Sequence, residues 1–415
     1  MAQGQNLAAR VSADAIIVGG GLVGGALAQS LAGLGLHVAV VDRGNPQDWL
    51  DGRFDGRASA VALASQRFLD AIGLWSAMAS EACAIEDIRV SEAKQPFFLH
   101  YDHRELGDVP FGYMVENRHI RKALYGTLNK NSNVEFHAPA TIEKISRNSG
   151  QASVTLKSGI TIEAPLLIAA DGRRSRIRAE AGIRVTQWQY KQTGIVCSVK
   201  HEKPHHNIAH EHFLPVGPFA ILPLRGDRSS LVWVESDVTA PAIMQLDDDA
   251  FLAELKKRFG DFLGGVSVIG PRWSFPLSLQ HAHRYVDNRL ALIGDAAHGM
   301  HPIAGQGLNL GWRGAAALTE VIYDARQLGL DYGLEPVLEK YERWRRFDNT
   351  LMLAMTDGLN RLFSNNLQPL KLARDAGLAI VNKLPPLKKI FMGSAMGLAG
   401  DVPKLMRGES LRARG

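Results

Sequence analysis

"AIIVGGGLVGGALAQSLAGLGLHVAVVD", residues 15–42, decides how the rest of the chain is read. Ala15 to Val18 make a short, wholly apolar strand, Leu22 to Leu34 follow as a helix, and His37 to Asp42 form a second strand ending on a carboxylate. Between strand and helix, Gly19, Gly21 and Gly24 satisfy G-x-G-x-x-G. The first glycine allows the tight turn, the second lets backbone approach a pyrophosphate, and the third lets helix and strand pack closely. An anion would sit on the helix start, where unpaired N–H groups carry about half a unit of positive charge. Asp42 falls where an acidic side chain takes the adenosine ribose hydroxyls. The motif fits FAD and NAD equally. The segment is long and uncharged enough to mimic a membrane span, but its glycines cluster at the front and it stops at Asp42-Arg43.

Two later blocks extend the reading. "LLIAADGRRSRIR" (Leu166 to Arg178) is a buried strand, then Asp171-Gly172, then an expected helix with Arg173, Arg174, Arg176 and Arg178 in its opening turns. Cations there oppose the helix dipole, which is easier to understand beside an anionic ligand. Arg57 in "FDGRASAVAL", Arg118 and Arg121 invite the same reading, against the plainer one of solvated arginines. The third block, "IGDAAHGMHPIAGQGLNLGWRG" (Ile293 to Gly314), follows the strand Arg289 to Ile293. Asp295, His298 and His301 have a metal-like spacing, but Gly299 and Pro302 break the helical face such a site needs. Gly305 and Gly307 instead open a helix whose positive end suits an electron-rich ring, and Asp295 can accept hydrogen bonds from hydroxyls. A second histidine group, His201, His205, His206, His210 and His212, reads as a loop running into an alternating strand rather than a zinc site. No second G-x-G-x-x-G, P-loop, G-x-S-x-G or C-x-x-C occurs.

At 415 residues the chain exceeds what one core supports, so two or three lobes are expected. Charged residues at 21% and hydrophobic ones at 46% are those of a globular protein, neither disordered nor spanning a membrane many times. The net charge of +5 comes without a long basic block carrying aromatics, which argues against nucleic acid. Cys83 and Cys197 alone make no disulfide framework and, with no apolar secretory segment in the first residues, fit a cytosolic setting. The fold class expected is α/β: a Rossmann-like dinucleotide domain (residues 1–185 and 276–345) with an inserted antiparallel β-sheet domain (186–275) and a helical C-terminal region (346–415). Asn117 is expected to cap the helix "RHIRKALYGTLNK", Ser158-Gly159 to turn a hairpin, and one helix to cover Asp247 to Phe259.

The segments "AIIVGGGLVGGALA", "DGRASAVAL", "GYMVENRHIRKAL", "AADGRRSRIR", "YKQTGIVCSV", "FLPVGPFAILPL" and "FPLSLQHAHRYVDNRLALIGDAAHGMHPIAGQGLNLG" span nearly the whole chain. In this order they resemble the group A flavoprotein aromatic hydroxylases of p-hydroxybenzoate hydroxylase fold, and most of all their ubiquinone-biosynthesis branch. The resemblance implies FAD bound by Gly19, Gly21, Gly24, Asp42, Arg57, Arg118, Asp171 and Asp295, with the loop from Pro302 through Gly305, Gly307 and Leu308 to Asn309 along the flavin ring. It implies reduction by NAD(P)H or a ferredoxin-type donor, O2 as co-substrate, and a C4a-hydroperoxide that hydroxylates a polyprenyl phenol. Such chemistry asks for water exclusion and fixed ring geometry more than for acids and bases. His298, His301, Pro302 and Tyr190 are the candidates for lining the reacting centre. The apolar tail with Lys388, Lys389, Lys404 and Arg407 suits a prenylated substrate, a membrane surface at the inner face, or a quinone-biosynthesis complex, as well as simple packing on the protein's own core. The alternatives are a same-fold hydroxylase of a small soluble phenol and a non-catalytic, FAD-retaining scaffold.

Overall fold

A computed structural model describes residues 9–50, 54–92, 98–300, 305–363 and 384–411. The wholly apolar tetrapeptides Ala15–Val18 and Val38–Val41 have no polar face, so they are stable only when covered on both sides, and both are fully buried strands. They lie in a six-stranded sheet whose order is Val286–Asp287, Leu290–Leu292, Leu167–Ala169, Ala15–Val18, Val38–Val41 and Val134–His137. Every neighbouring pair is parallel except the first. Ala169 is in register with both Val18 and Leu292, so three strands far apart in sequence end level with one another. The residues that follow them, Gly19, Ala170-Asp171 and Ile293 to Asp295, therefore share one edge of the sheet.

Helix Leu22–Gly33 packs against helix Gln306–Gln327. Val23 is wedged between two glycines: a Cβ at Gly311 would lie 2.6 Å from its Cγ2, and one at Gly294 3.3 Å from its Cγ1. Trp312, fully buried, donates its Nε1–H to Leu22 O at 2.9 Å. The two glycine-bordered helix starts are thus held side by side.

The second large sheet has eight strands, in the order His298–Gly299, Val266–Ala282, Val185–His201, Arg228–Ser236, Pro218–Leu224, Ile208–Phe213, Asp87–Glu92 and Phe98–Asp102. Its membership crosses the sequence boundaries expected for an inserted lobe, because two strands come from residues 87–102, and Asp87–Glu92 joins Ile208–Phe213 in parallel. That pairing leaves no local signature, since it joins segments more than a hundred residues apart. One face of the sheet, with Ile195, Cys197, Phe219, Ile221, Leu231 and Trp233, packs on helix Asp248–Phe259. The other face turns toward the dinucleotide domain.

Smaller expectations divide. The 156–161 turn forms, with Gly159 at φ 89°. Glu116, not Asn117, precedes helix Asn117–Leu128, and the Asn117 Oδ1 accepts instead from Ser59 Oγ at 2.7 Å. Arg173 and Arg174 lie before a short helix, Arg176–Glu180, because Asp171 and Ser175 cap it there. After residue 305 the described chain is helical at Gln306–Gln327, Glu335–Phe363, Pro385–Ala395 and Lys404–Arg407.

Gly311→Ala is expected to lower stability in urea denaturation by about 1–3 kcal/mol. Adding Val23→Ala should recover part of that loss. Purely additive losses would show that the helices do not lock at this point.

Candidate active site

The edge where the three parallel strands end is built from backbone. Gly19 has φ 104°, and a Cβ there would lie 2.3 Å from Ala170 O; one at Gly24 would lie 1.9 Å from Gly19 O. Both glycines are required by neighbouring backbone. Gly21 is different, because a Cβ there would meet nothing within 4 Å. It serves as N-cap of its helix with no side-chain cap and no acidic residue in the first turn. Helix Gln306–Gln327 begins the same way, on Gly305 at φ 62° with no side-chain cap and no acid in its first turn. By contrast, helix Asp248–Phe259 is capped by Asp247 and carries Asp248 and Asp249 in its first turn. A helix start whose N–H groups meet no side-chain acceptor can receive an anion, and here two such starts lie side by side.

Carboxylates frame this edge. Asp42 accepts from Gly20 N at 2.6 Å and Gly44 N at 2.7 Å, bracing the first turn. Asp171 Oδ2 accepts from Arg176 N at 2.9 Å, while its Oδ1 is buried with no partner. From Arg289 to Met300 every residue is buried except Asp295. Its side chain keeps 52% of its surface open and lies 3.8 Å from the Arg173 guanidinium. Burial still raises its pKa, with Arg173 pulling the other way. A carboxyl both surrounded by protein and open on one side lines a cleft.

The arginines are more engaged than sequence suggests. Arg57 pairs with Asp55 and lies over the Trp273 ring at 5.0 Å, and Arg121 reaches the same Asp55 oxygen at 2.7 Å. Arg118 and Arg228 both hold the buried Glu116, at 2.7 Å each. Arg178 is buried and donates to Ala296 O and Arg173 O, which makes it part of the scaffold beneath Asp295. Arg173 also crosses Gly299, where a Cβ would lie 2.5 Å from its guanidinium.

The remaining candidates separate. Gly305, Gly307 and Leu308 form the helix start. The Asn309 amide is spent on strand Ala58–Ala62, accepting from Ala62 N and donating to Ala60 O, both at 2.9 Å, so its side chain holds the framework. Tyr190 joins an apolar cluster with Leu279, Met300, Leu310 and Leu353, and burial raises its pKa. His298 is 3% exposed and burial lowers its pKa to about 3, so it is neutral at physiological pH. It sits against the Tyr285 ring. His301 and Pro302 lie outside the described residues. In the other histidine group, His201 contacts Lys203 O and Ser229 Oγ, His205 contacts Leu224 O, and His210 stacks on His212. Among the described residues the one metal-like grouping is Asp87, Asp102 and His103.

Two uncapped helix starts held together, an open position at Gly21 and an acceptor-lined cleft describe a site for a long, anionic, hydroxyl-bearing cofactor. Comparison with known proteins says which. Residues 12–336 match the family described as FAD binding domain. The chain is 51% identical to ubiquinone hydroxylase UbiL of Rhodospirillum rubrum, over 96% of this chain and 94% of that one. The chain belongs to the FAD-dependent ubiquinone-biosynthesis hydroxylases. It is also 38% identical to 3-demethoxyubiquinol 3-hydroxylase of Escherichia coli, covering 92% of this chain and 98% of the relative. Among solved structures, p-nitrophenol 4-monooxygenase PnpA of Pseudomonas putida shares the fold, with a TM-score of 0.78 at 20% identity over 94% and 99% of the two chains. This hydroxylase family uses FAD and O2, and the unpartnered Asp171 oxygen, the space at Gly21 and the open side of Asp295 fit that cofactor.

Gly21→Val should cost the apoprotein only about 1 kcal/mol, the loss of a favoured N-cap residue, because a Cβ there meets nothing within 4 Å, while flavin content after gel filtration falls about tenfold or more. Gly24→Ala should lose both flavin and stability. Equal flavin retention in Gly21→Val would remove the phosphate from this turn.

Proposed function

We propose that this flavin monooxygenase hydroxylates the aromatic ring of a polyprenyl phenol during ubiquinone biosynthesis. The observation that carries the reading is the pairing of two uncapped helix starts, at Gly21 and Gly305, locked together through Val23 and Trp312. The first would hold the pyrophosphate, with Asp42 at the ribose; the second would face the electron-rich edge of the ring system, with Asp295 at the ribityl hydroxyls. Bound there, FAD supplies the redox chemistry: two electrons from NAD(P)H or a ferredoxin-type donor and activation of O2 for transfer of one oxygen atom to an electron-rich ring.

The chain's own residues exclude water and fix geometry. Met300, Leu310, Leu279 and Tyr190 close an apolar wall beside the helix start, which suits a ring with a hydrocarbon tail. The Rhodospirillum and Escherichia relatives, a ubiquinone hydroxylase and a 3-demethoxyubiquinol 3-hydroxylase, support the same class. No described helix is long and apolar enough to cross a membrane. We infer that a prenylated substrate is met at a membrane surface by the C-terminal helix Pro385–Ala395, where Ile390 is 63% exposed beside Lys389, or is handed over within a complex of pathway proteins.

The test is a deletion strain grown under 18O2. Quinone precursors lacking one ring oxygen should accumulate, and purified FAD-loaded protein given a reductant should convert them to a product carrying 18O. Label only in water, or no precursor build-up, overturns the proposal. Asp295→Ala should lower retained flavin and hydroxylation together; full flavin content in that variant would take Asp295 out of the cofactor site.

A further inference from the structure

The eight-stranded sheet turns one face toward the dinucleotide domain. Ser198 Oγ donates to Gly56 O at 3.2 Å, Trp273 Nε1 donates to Asp55 O at 2.5 Å, and Arg228 reaches Glu116 at 2.7 Å. Side chains of directly paired residues share a face. Following the pairs from strand to strand, the row on this face that contains Trp273 runs through Val196, Val232, Ala220, Glu211, Val90 and Leu99. Six of its seven members are apolar. The seventh is a carboxylate, placed between Ala220 and Val90.

On the opposite face the corresponding residues, such as Trp233, Phe219 and Ile195, are fully buried. Along this row Val90, Glu211, Val232, Val196 and Trp273 are only half-buried, although they lie between two domains. The row therefore leaves room between the domains. Beside it on the same face, Ala209 and Leu224 pack in one cluster with Ala58 and Ala60 of strand Ala58–Ala62, which Asn309 ties to the helix start at Gly305. Among the described residues no hydrogen bond or ion pair reaches the Glu211 carboxylate. An unpaired carboxylate in an otherwise apolar row is costly to the fold alone.

We propose that Glu211 is the catalytic base of the hydroxylation, the group that accepts the proton of the substrate's ring hydroxyl. The O–H bond breaks, its electron pair stays on the phenolic oxygen, and the proton passes to a Glu211 carboxylate oxygen, to be released to solvent after product leaves. The resulting phenolate pushes charge into the ring carbons and makes them more reactive toward an electrophilic oxygen. The inference rests on the proposed function, and specifies which residue prepares the substrate for it.

Burial raises the Glu211 pKa to about 7, where a general base is most effective. The charged and titratable groups on the elements facing it are Tyr101, Cys83, the Asp55–Arg57–Arg121 set, the Glu116–Arg118–Arg228 set and the Lys388–Glu105 pair. His210, His212 and Arg89 are on the other face. Burial is the cause of the shift, with no charged neighbour adding to it.

The experiment compares wild type, Glu211→Gln and Glu211→Asp, each loaded with FAD, on 2-geranylphenol and on a ring-fluorinated analogue already ionised at the assay pH, both in detergent. With the unionised phenol, Glu211→Gln should lose about 100- to 10,000-fold in kcat, and Glu211→Asp less, with little change in KM. With the ionised phenol the variants should approach wild type. The wild-type rate on the unionised phenol should rise with pH through about 7, and that rise should be absent with the ionised one. A readout without turnover comes from linkage. Because the folded pKa is raised above the ordinary 4.5, the stability Glu211 contributes is complete below pH 4.5 and lost as pH rises through about 7. Glu211→Gln should thus raise the urea midpoint relative to wild type at pH 8 and not at pH 4. Equal loss on both phenols with full flavin content, or no loss on either, overturns Glu211 as the base. Wild type that oxidises neither phenol overturns the proposed function instead, and this assignment with it.

Discussion

The structure depends on the level ending of three parallel strands. Val18, Ala169 and Leu292 are hydrogen-bonded neighbours in register, so the turns after them are brought together by backbone pairing alone. A slip in this register would move a whole strand relative to the other two and separate the first glycine turn from Asp171 and Asp295. Helix Gln306–Gln327 is then fixed by packing: Val23 fills the notch between Gly294 and Gly311, and Trp312 bonds to Leu22 O. Positively polarised helix ends repel one another weakly and have no reason to meet unless something holds them. Here close-packed glycines do so, and the common site between them suits a molecule with a charged middle and a polar ring.

The second sheet is related to this site by the difference between its faces. One is sealed by helix Asp248–Phe259 and contributes stability. The other meets the dinucleotide domain through Trp273, Ser198 and Arg228 and through the cluster of Ala209 and Leu224 with Ala58 and Ala60, while Val90, Glu211, Val196 and Val232 stay half-buried. Contacts with room left between them make a chamber rather than a solid interface. Apolar walls keep water low inside it, and any charge placed there interacts strongly.

Much of this was legible in sequence where local physics decides. Ala15 to Asp42 has one low-energy reading, because a fully apolar tetrapeptide, a glycine turn and an uncharged helix can only be buried together. The helix start at Gly305 was legible from its glycines. The arginine block was not: which residue opens a helix after Gly172 depends on whether Asp171 turns back to cap it, and its Oδ2 does so. The role of the Asn309 amide on the backbone of Ala60 and Ala62 is a pairing across almost 250 residues that no local pattern records. Glu211 is not legible among the histidines of "NIAHEHF" (residues 207–213), since which face of strand Ile208–Phe213 points inward is set by Asp87–Glu92 and Pro218–Leu224.

The Asn309 amide has a mechanical meaning. By offering one acceptor and two donors it imitates the edge of a neighbouring strand, and so welds the front of a 22-residue helix to Ala58–Ala62. That strand pairs with Gly112–Glu116, which carries the Glu116 clamp to Arg228 in the other sheet. The helix front and the second sheet are therefore held in one frame, and neither can shift without breaking an Asn309 hydrogen bond or the Glu116–Arg228 ion pair.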